Sequence, residues 1–185
     1  MPVSPKPPVV SRLPRRRREH YFPRLPKVPP PIEVRVNRRV SFSDADPMGI
    51  LWHGRYAHCF EQSNETLGRA CGMSYEDFIQ AKLLAPIVQF HVDYFSPVRL
   101  GEEVTTTARL VWNEGARLNI EYEVRHARGS LAATGYTVQM LTTVEGEPIL
   151  VSPPLLEKCR KRWLAGEFHD GEGWRSPPEG AGQQA

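Results

Sequence analysis

Residues 87–144 carry four runs of alternating apolar and polar side chains: IVQFHVDYFSPVRLGEEVTTTARLVWNEGARLNIEYEVRHARGSLAATGYTVQMLTTV. A period of two predicts β-strands in which every second side chain is buried. The runs cover 87–95, 104–112, 118–126 and 131–144. Turn residues such as Pro, Gly and Asn separate them, and connections this short join antiparallel strands. The segment therefore predicts an antiparallel meander.

Upstream of the meander, the sequence predicts one further strand and one long helix. Residues 33–43 place apolar side chains at alternate positions, with only Arg38 out of pattern. A helical stripe with intervals of four and three follows: Tyr56, Phe60, Ser63, Leu67 and Ala70. Gly72 can end this helix. A single long helix can bury its stripe only against the concave face of the sheet. We therefore expect an α+β fold, with a five-stranded antiparallel sheet wrapped around one long helix.

The two ends of the chain differ in composition from the middle. Residues 1–31 contain ten prolines and the run Arg15 to Arg18, a composition typical of a disordered basic tail. Residues 166–185 are rich in Gly, Pro, Glu and Gln, which indicates a second flexible tail. The middle, 32–165, is long enough for one domain, and a further helix is expected at 155–164.

Composition also narrows the class of protein. The formal net charge is +3, but the basic excess lies in residues 1–31, and the rest holds more acidic than basic residues. The alternative to a plain tail is an electrostatic contact with nucleic acid, acidic protein or a membrane, but nothing aromatic or periodic accompanies the arginine run, so a nucleic-acid partner is not favoured. No apolar run reaches the length of a membrane span, and no signal peptide is recognisable. Cys59, Cys71 and Cys159 are odd in number and widely spaced, which fits a cytoplasmic protein without disulfides or structural zinc.

The densest polar cluster lies between the first strand and the long helix. It contains Asp44, Asp46, His53 and Arg55 among apolar residues. The start of a helix presents unpaired N–H groups and partial positive charge, which can stabilise an oxyanion. A carboxylate nearby can act as a base or a nucleophile. Of the two, Asp44 is the better candidate for a structural role, since an Asp at a strand end often accepts hydrogen bonds from nearby backbone N–H groups.

This cluster resembles the signature of a known family. The segment 42–56, FSDADPMGILWHGRY, followed by Phe60 and Glu61, is similar to the active-site region of the 4-hydroxybenzoyl-CoA thioesterase-like and YbgC-like hotdog thioesterases. The resemblance spans about residues 34–163. It implies a hotdog fold and an enzyme that hydrolyses an acyl-CoA or acyl-carrier-protein thioester. We expect no cofactor and no metal.

The resemblance also implies roles for single residues. Asp46 matches the catalytic carboxylate. The backbone N–H of His53 matches the donor that polarises the thioester carbonyl, and its side chain could orient the carboxylate or water. Glu61 matches an acidic position at the far end of the acyl pocket. We expect three further positions of the region, Gly49, Trp52 and Tyr56, to bind substrate.

Several alternatives remain open at this point. A hotdog hydratase or dehydratase also pairs an acid with a His, and a non-catalytic acyl-thioester binding module would share the fold. The Asp44–Asp46 pair also resembles the opening of haloacid-dehalogenase-type phosphatases, but those need alternating strands and helices. A metal site built from the same polar cluster lacks ordered ligand spacing. The sequence does not distinguish an aromatic from an aliphatic acyl group.

Two further expectations concern partners. A single curved sheet leaves strand edges uncovered, so we expect a homodimer or homotetramer. The 4-hydroxybenzoyl enzymes hold the CoA phosphates with a basic cluster in a late hairpin. The corresponding turn here, residues 112–117, contains one Arg and one Glu. CoA and carrier protein therefore both remain possible carriers, with Arg125, His126 and Arg128 as substitute phosphate ligands.

Overall fold

The computed structural model describes residues 20–168 and the backbone of 174–175. The helices are α1 (Tyr56–Cys71), α2 (Tyr75–Gln80) and α3 (Pro154–Leu164). The strands are β1 (Ile32–Arg39), β2 (Leu83–Leu84), β3 (Ile87–Tyr94), β4 (Glu103–Val111), β5 (Arg117–His126), β6 (Leu131–Met140), β7 (Thr142–Thr143) and β8 (Trp174–Arg175). Two 3-10 turns, Phe42–Asp44 and His53–Arg55, enclose the loop that leads into α1.

The main sheet confirms the predicted meander. Its five long strands lie in the order β3-β6-β5-β4-β1, and every neighbouring pair is antiparallel. The short strand β8 pairs parallel to β1 at the opposite edge from β3. β2 and β7 form a separate two-stranded sheet. The first strand of the chain is therefore joined to the meander through β4, after α1 has crossed the sheet.

Helix α1 packs against the sheet along the predicted stripe. Tyr56, Phe60, Ser63 and Leu67 are buried, and the Phe60 ring stacks on Tyr122 of β5 with centroids 4.2 Å apart. Gly135 of β6 permits this approach, because a Cβ there would lie 2.7 Å from the Phe60 ring and 2.3 Å from a backbone oxygen of β3. The helix ends at Gly72, whose φ of 72° is favourable only for glycine. This is the α+β arrangement expected from the sequence.

Residues 20–31 lie within the part of the chain that the sequence assigned to the N-terminal tail, yet they contact the sheet. The backbone N–H groups of Tyr21 and Phe22 donate to Oε1 of Glu121 at 2.8 and 3.0 Å. Arg24 donates to Oε2 of the same carboxylate at 2.6 Å. Glu121 is buried, so this segment supplies the partners that its charge requires. The contacts join residues about a hundred positions apart, which local composition cannot reveal.

Other boundaries differ in smaller ways. The predicted strand 131–144 divides at Leu141 into β6 and β7. Phe42, expected at the end of the first strand, is exposed in a 3-10 turn. Residues 174–175 form β8 within the predicted C-terminal tail, while 1–19, 169–173 and 176–185 lie outside the described residues. Across the described ranges, no helix is both long and apolar enough to cross a bilayer.

Candidate active site

The loop between β1 and α1 forms a tight hairpin that carries Asp46 at its tip. The backbone N–H of Asp46 donates to Ile50 at 2.8 Å, and Ala45 pairs with Leu51 in an antiparallel bridge. Gly49 turns the chain with a φ of 73° and donates to the carbonyl of Asp46 at 2.9 Å. A side chain at Gly49 would be strained in this left-handed conformation. The hairpin therefore has a defined geometry rather than that of an open loop.

The Asp46 carboxylate is half-buried and partly occupied by the hairpin itself. Its Oδ1 accepts hydrogen bonds from the backbone N–H groups of Met48, at 2.8 Å, and Ile50, at 3.3 Å. Within residues 20–168, Oδ2 has no hydrogen-bond partner. One oxygen thus holds the orientation of the side chain, and the other is available to a ligand.

His53 begins the 3-10 turn that runs directly into α1. As the first residue of this helical stretch, its backbone N–H has no acceptor within the turn. Its carbonyl accepts hydrogen bonds from Tyr56 N–H and, at 3.3 Å, from the Tyr94 hydroxyl of β3. The His53 ring is exposed and lies 5.0 Å from the half-exposed Trp52 ring. The helix start therefore presents an N–H donor next to two exposed rings.

Asp44, two residues before Asp46, lies in a very different environment. It is 2% exposed, its Oδ2 lies 2.6 Å from Arg38, and the same oxygen accepts hydrogen bonds from Ser41 Oγ at 2.5 Å and Ser41 N–H at 3.0 Å. Burial alone would raise the pKa of Asp44, but the hydrogen bonds from Ser41 and Arg38 and the charge of Arg38 lower it to about 2. The predicted structural role of Asp44 fits this geometry.

Tyr56 and Glu61, predicted as substrate contacts, lie further along α1. Tyr56 is 3% exposed and packs against Tyr94, with ring centroids 5.0 Å apart, and burial raises its pKa to about 12. Little of its side chain is left for contact with a substrate. Glu61 is exposed and accepts a hydrogen bond from the Tyr75 hydroxyl of α2. It is one of the residues that line an apolar cavity of about 640 Å³.

The hairpin rests on a second loop that sequence reasoning missed. Leu51 donates to Val98 at 2.8 Å, and Leu100 donates to Gly49 at 3.0 Å. This 96–102 loop is held in turn by His126, which lies 2.5 Å from Glu102 and 2.8 Å from Ser96. The sequence contains no local signal for these contacts, because they join the β1–α1 hairpin, the β3–β4 loop and the end of β5, which are far apart in the chain.

The structure therefore groups the predicted residues into two places. Gly49, Asp46, Trp52 and His53 belong to one hairpin and helix start. Glu61 lies eight residues beyond His53, about 12 Å along the helix axis at the usual rise. Among the described residues, no group of three or more His, Cys, Asp or Glu side chains is arranged to hold a metal ion.

The candidate phosphate ligands are mostly engaged within the chain. Arg125 donates to Glu123 and to the carbonyl of Gly129, each at 2.6 Å, and His126 is paired with Glu102. In the 112–117 turn, the carbonyls of Asn113 and Gly115 accept hydrogen bonds from Arg160 of α3 at 2.5 and 2.7 Å. The turn is thus closed by an arginine that is itself buried, and it presents no basic cluster to solvent.

Comparisons with known proteins place the chain in a family. Residues 40–159 match the model of the thioesterase-like superfamily. The chain is 25% identical over 93 residues to the putative acyl-CoA thioesterase YneP of Bacillus subtilis, covering 50% of this chain and 67% of that protein. It is 26% identical over 103 residues to the acyl-CoA thioesterase YbgC of Haemophilus influenzae, covering 55% and 74%.

The fold is shared with solved structures. A DHNA-CoA thioesterase from Staphylococcus aureus superposes with a TM-score of 0.66 at 22% identity, over 78% of this chain and 99% of that one. The match confirms the hotdog fold. At this level of identity it concerns the fold and not the substrate.

Proposed function

The chain belongs to the thioesterase-like superfamily, and from this premise we propose that it hydrolyses an acyl thioester. The substrate is an acyl-CoA or acyl-carrier-protein thioester, and the products are a free acid and a thiol. One observation carries the proposal. The hairpin holds the Asp46 carboxylate by Oδ1 and leaves Oδ2 without a partner in residues 20–168, and the helical stretch begins seven residues later at His53.

The chemistry requires few groups. A thioester carbonyl is weakly stabilised by resonance. A thiol has a pKa of about 8.5, so its thiolate leaves without strong acid assistance. In the proposed reaction, the His53 N–H donates to the carbonyl oxygen and stabilises the negative charge that develops on it. Asp46 Oδ2 takes a proton from water while the water oxygen attacks the carbonyl carbon. The C–S bond then breaks, and the thiolate leaves and is protonated.

Asp46 could also attack the carbonyl carbon itself. This route forms a mixed anhydride with loss of the thiolate, and water then cleaves the anhydride. A single turnover in heavy-oxygen water identifies the nucleophilic route when water attacks the aspartyl carbon of the anhydride; attack at the acyl carbon would label the free acid in either route. The label enters the free acid directly if Asp46 is the base, whereas the first product acid carries an unlabelled Asp46 oxygen if Asp46 is the nucleophile and water attacks the aspartyl carbon.

The proposed activity is tested by measuring thiol release from aromatic and aliphatic acyl-CoA esters. Hydrolysis at a rate well above the uncatalysed reaction is the expected result. Hydration of an enoyl-CoA without thiol release would instead identify a hydratase. Tight binding with neither reaction would identify a non-catalytic acyl-thioester binding module.

The thiol carrier is a separate part of the proposal. Because Arg125 and His126 have intramolecular partners and the 112–117 turn is closed by Arg160, we expect the CoA nucleotide to contribute little to binding. Comparing kcat/KM for one acyl group on CoA, on pantetheine and on carrier protein tests this. Similar values for CoA and pantetheine support it, and an advantage of about 100-fold for CoA would contradict it.

We further propose a homodimer formed through β3, with the tetramer as a possible further assembly. β3 is an edge strand that pairs only with β6 among the described strands. Its exposed side chains include the apolar Val88, 52% exposed, and Phe90, with the polar Gln89 between them. An exposed apolar edge strand is a site where a second copy can add its own edge.

Val88→Glu should shift the protein to monomer in light scattering, whereas Val151→Glu, at a position 81% exposed, should not. A wild-type monomer would contradict the proposal.

A further inference from the structure

The cavity of about 640 Å³ lies between the second half of α1, helix α2, strand β2 and the concave face of the sheet. We call it the α1–α2 cavity. Its lining is largely apolar and includes Leu67, Met73, Phe78, Leu83, Leu118 and Ile120. Folded proteins pack their interiors densely, so a cavity of this size is not an ordinary packing gap and lies in the range of ligand pockets. No residue of the segment 42–56, which includes Asp46 and His53, lines this cavity.

We propose that the α1–α2 cavity receives the distal end of an aliphatic acyl chain of medium or long length. This inference rests on the proposed thioesterase activity and names its substrate class.

A second, smaller pocket lies between the hairpin end of α1 and this cavity. It has a volume of about 320 Å³ and is lined by Ala57, His58, Phe60 and Phe90, among others. It shares Glu61 and Ile87 with the α1–α2 cavity. The two pockets therefore adjoin along α1, and together they extend from the first turn of the helix towards Cys71.

The length of this path excludes a short acyl group from the cavity. Glu61 is eight residues beyond His53, which corresponds to about 12 Å along the helix. An acyl group whose carbonyl is held at the His53 N–H must cover this distance before it reaches the cavity. An extended alkyl chain does so, whereas a single aromatic ring on the carbonyl does not.

The hydrogen bonding of the polar residues Glu61 and Tyr75, which line the α1–α2 cavity, favours an acyl chain with an apolar end. Glu61 and Tyr75 are hydrogen-bonded to each other, so each satisfies the other's polar end. Burial and the Glu61 carboxylate both raise the pKa of the Tyr75 hydroxyl, which therefore keeps its proton and its bond to Glu61. Beyond them, a hydroxyl or charged group on the chain would have to lose its hydration against Leu67 and Ile120.

The first test is a chain-length series of CoA thioesters. Each CH₂ removed from water should raise kcat/KM by up to about fourfold once the chain enters the cavity. We expect dodecanoyl-CoA to exceed octanoyl-CoA by at least about tenfold, because an extended octanoyl chain ends before Glu61, whereas an extended dodecanoyl chain reaches past it into the cavity. Equal kcat/KM values from butanoyl to dodecanoyl would overturn the inference while leaving the hydrolase itself established.

The second test fills the cavity. Ala85 lines it and is half-buried, so Ala85→Phe should lower kcat/KM for dodecanoyl-CoA by about tenfold. The same variant should cleave butanoyl-CoA at the wild-type rate, which also shows that it folds. Ala165→Phe, at an exposed position after α3, is the matched control and should change neither rate. An unchanged dodecanoyl rate in Ala85→Phe would overturn the inference.

A binding experiment keeps the inference testable if no thioester is cleaved, which would contradict the proposed function. The probe is the dodecyl-CoA thioether, which cannot be hydrolysed, measured by calorimetry. Binding about tenfold weaker in Ala85→Phe than in wild type supports the cavity as a chain site. Equal binding by the two proteins overturns it.

Discussion

Asp44 and Asp46 are separated by one residue, but their carboxylates have opposite surroundings. Asp44 is buried beside Arg38 and accepts hydrogen bonds from Ser41, and its pKa falls to about 2. Asp46 is half-buried at the tip of a hairpin and accepts backbone N–H groups on Oδ1. A carboxylate whose charge is already compensated by neighbours stabilises the fold. A carboxylate with an available oxygen can still take part in a reaction.

The comparison predicts that Asp46 affects the rate of turnover and not the free energy of unfolding, and that Asp44 does the opposite. Loss of the Asp46 charge should change turnover with little effect on unfolding. Loss of the Asp44 charge should change the free energy of unfolding, because it leaves Arg38 without its buried partner. Measuring both properties on both variants decides whether the division of roles holds.

Asp46→Asn should give the largest effect, a loss of at least about 100-fold in kcat for thioester hydrolysis. The replacement is nearly isosteric and its amide oxygen can still accept the hairpin N–H groups, so the melting temperature should change little. Glu145→Gln, an exposed acid-to-amide change, is the control and should retain full activity. If Asp46→Asn keeps more than about a tenth of the wild-type rate, Asp46 is not part of the mechanism.

Asp44→Asn should lower the free energy of unfolding at pH 7 by about 2 kcal/mol. The loss arises because the ion pair with Arg38 and the charge-assisted bonds from Ser41 are weakened in a buried site. Urea unfolding followed by circular dichroism measures it. Activity per folded molecule should fall much less than in Asp46→Asn, and a reversed order would break the comparison.

The stability difference between wild type and Asp44→Asn should depend on pH. The pKa of Asp44 is lowered from 3.8 to about 2 in the folded state, so its contribution is fully present above pH 4. As the pH falls towards 2, the folded carboxylate is protonated and the contribution is lost. Urea unfolding of both proteins at pH 6, 4 and 2 should show the difference of about 2 kcal/mol narrow only between the last two. A constant difference would mean that the Asp44 charge is not its source.

His53→Ala should have the smallest effect, a loss of less than about tenfold in kcat, because the backbone N–H survives the change. Stability should be nearly unchanged, since the His53 ring is exposed. Lys161→Ala, at an exposed position of α3 that lines neither pocket beside α1, is the control. A loss in His53→Ala as large as that in Asp46→Asn would show that the imidazole acts directly on the substrate or the water.

Much of this architecture could be predicted from local patterns. Alternation placed the strands of the meander, intervals of three and four placed α1, and the predicted helix at 155–164 corresponds to α3. The signature around Asp46 led to the thioesterase-like superfamily, which the family match confirms. These features are readable because periodicity and turn residues act over a few neighbouring positions.

Other features were decided only by tertiary structure. The order β3-β6-β5-β4-β1 brings Glu121 under residues 20–24, and the 96–102 loop under the Asp46 hairpin. The α1–α2 cavity likewise exists only where α1, α2 and the sheet meet. The sequence by itself therefore determined the long strands and helices, their order along the chain and the candidate site motif. The contacts that hold the Asp46 hairpin and residues 20–24, and the α1–α2 cavity, depend on residues that are distant in the sequence. No local pattern encodes such contacts, because they form only when the chain has folded.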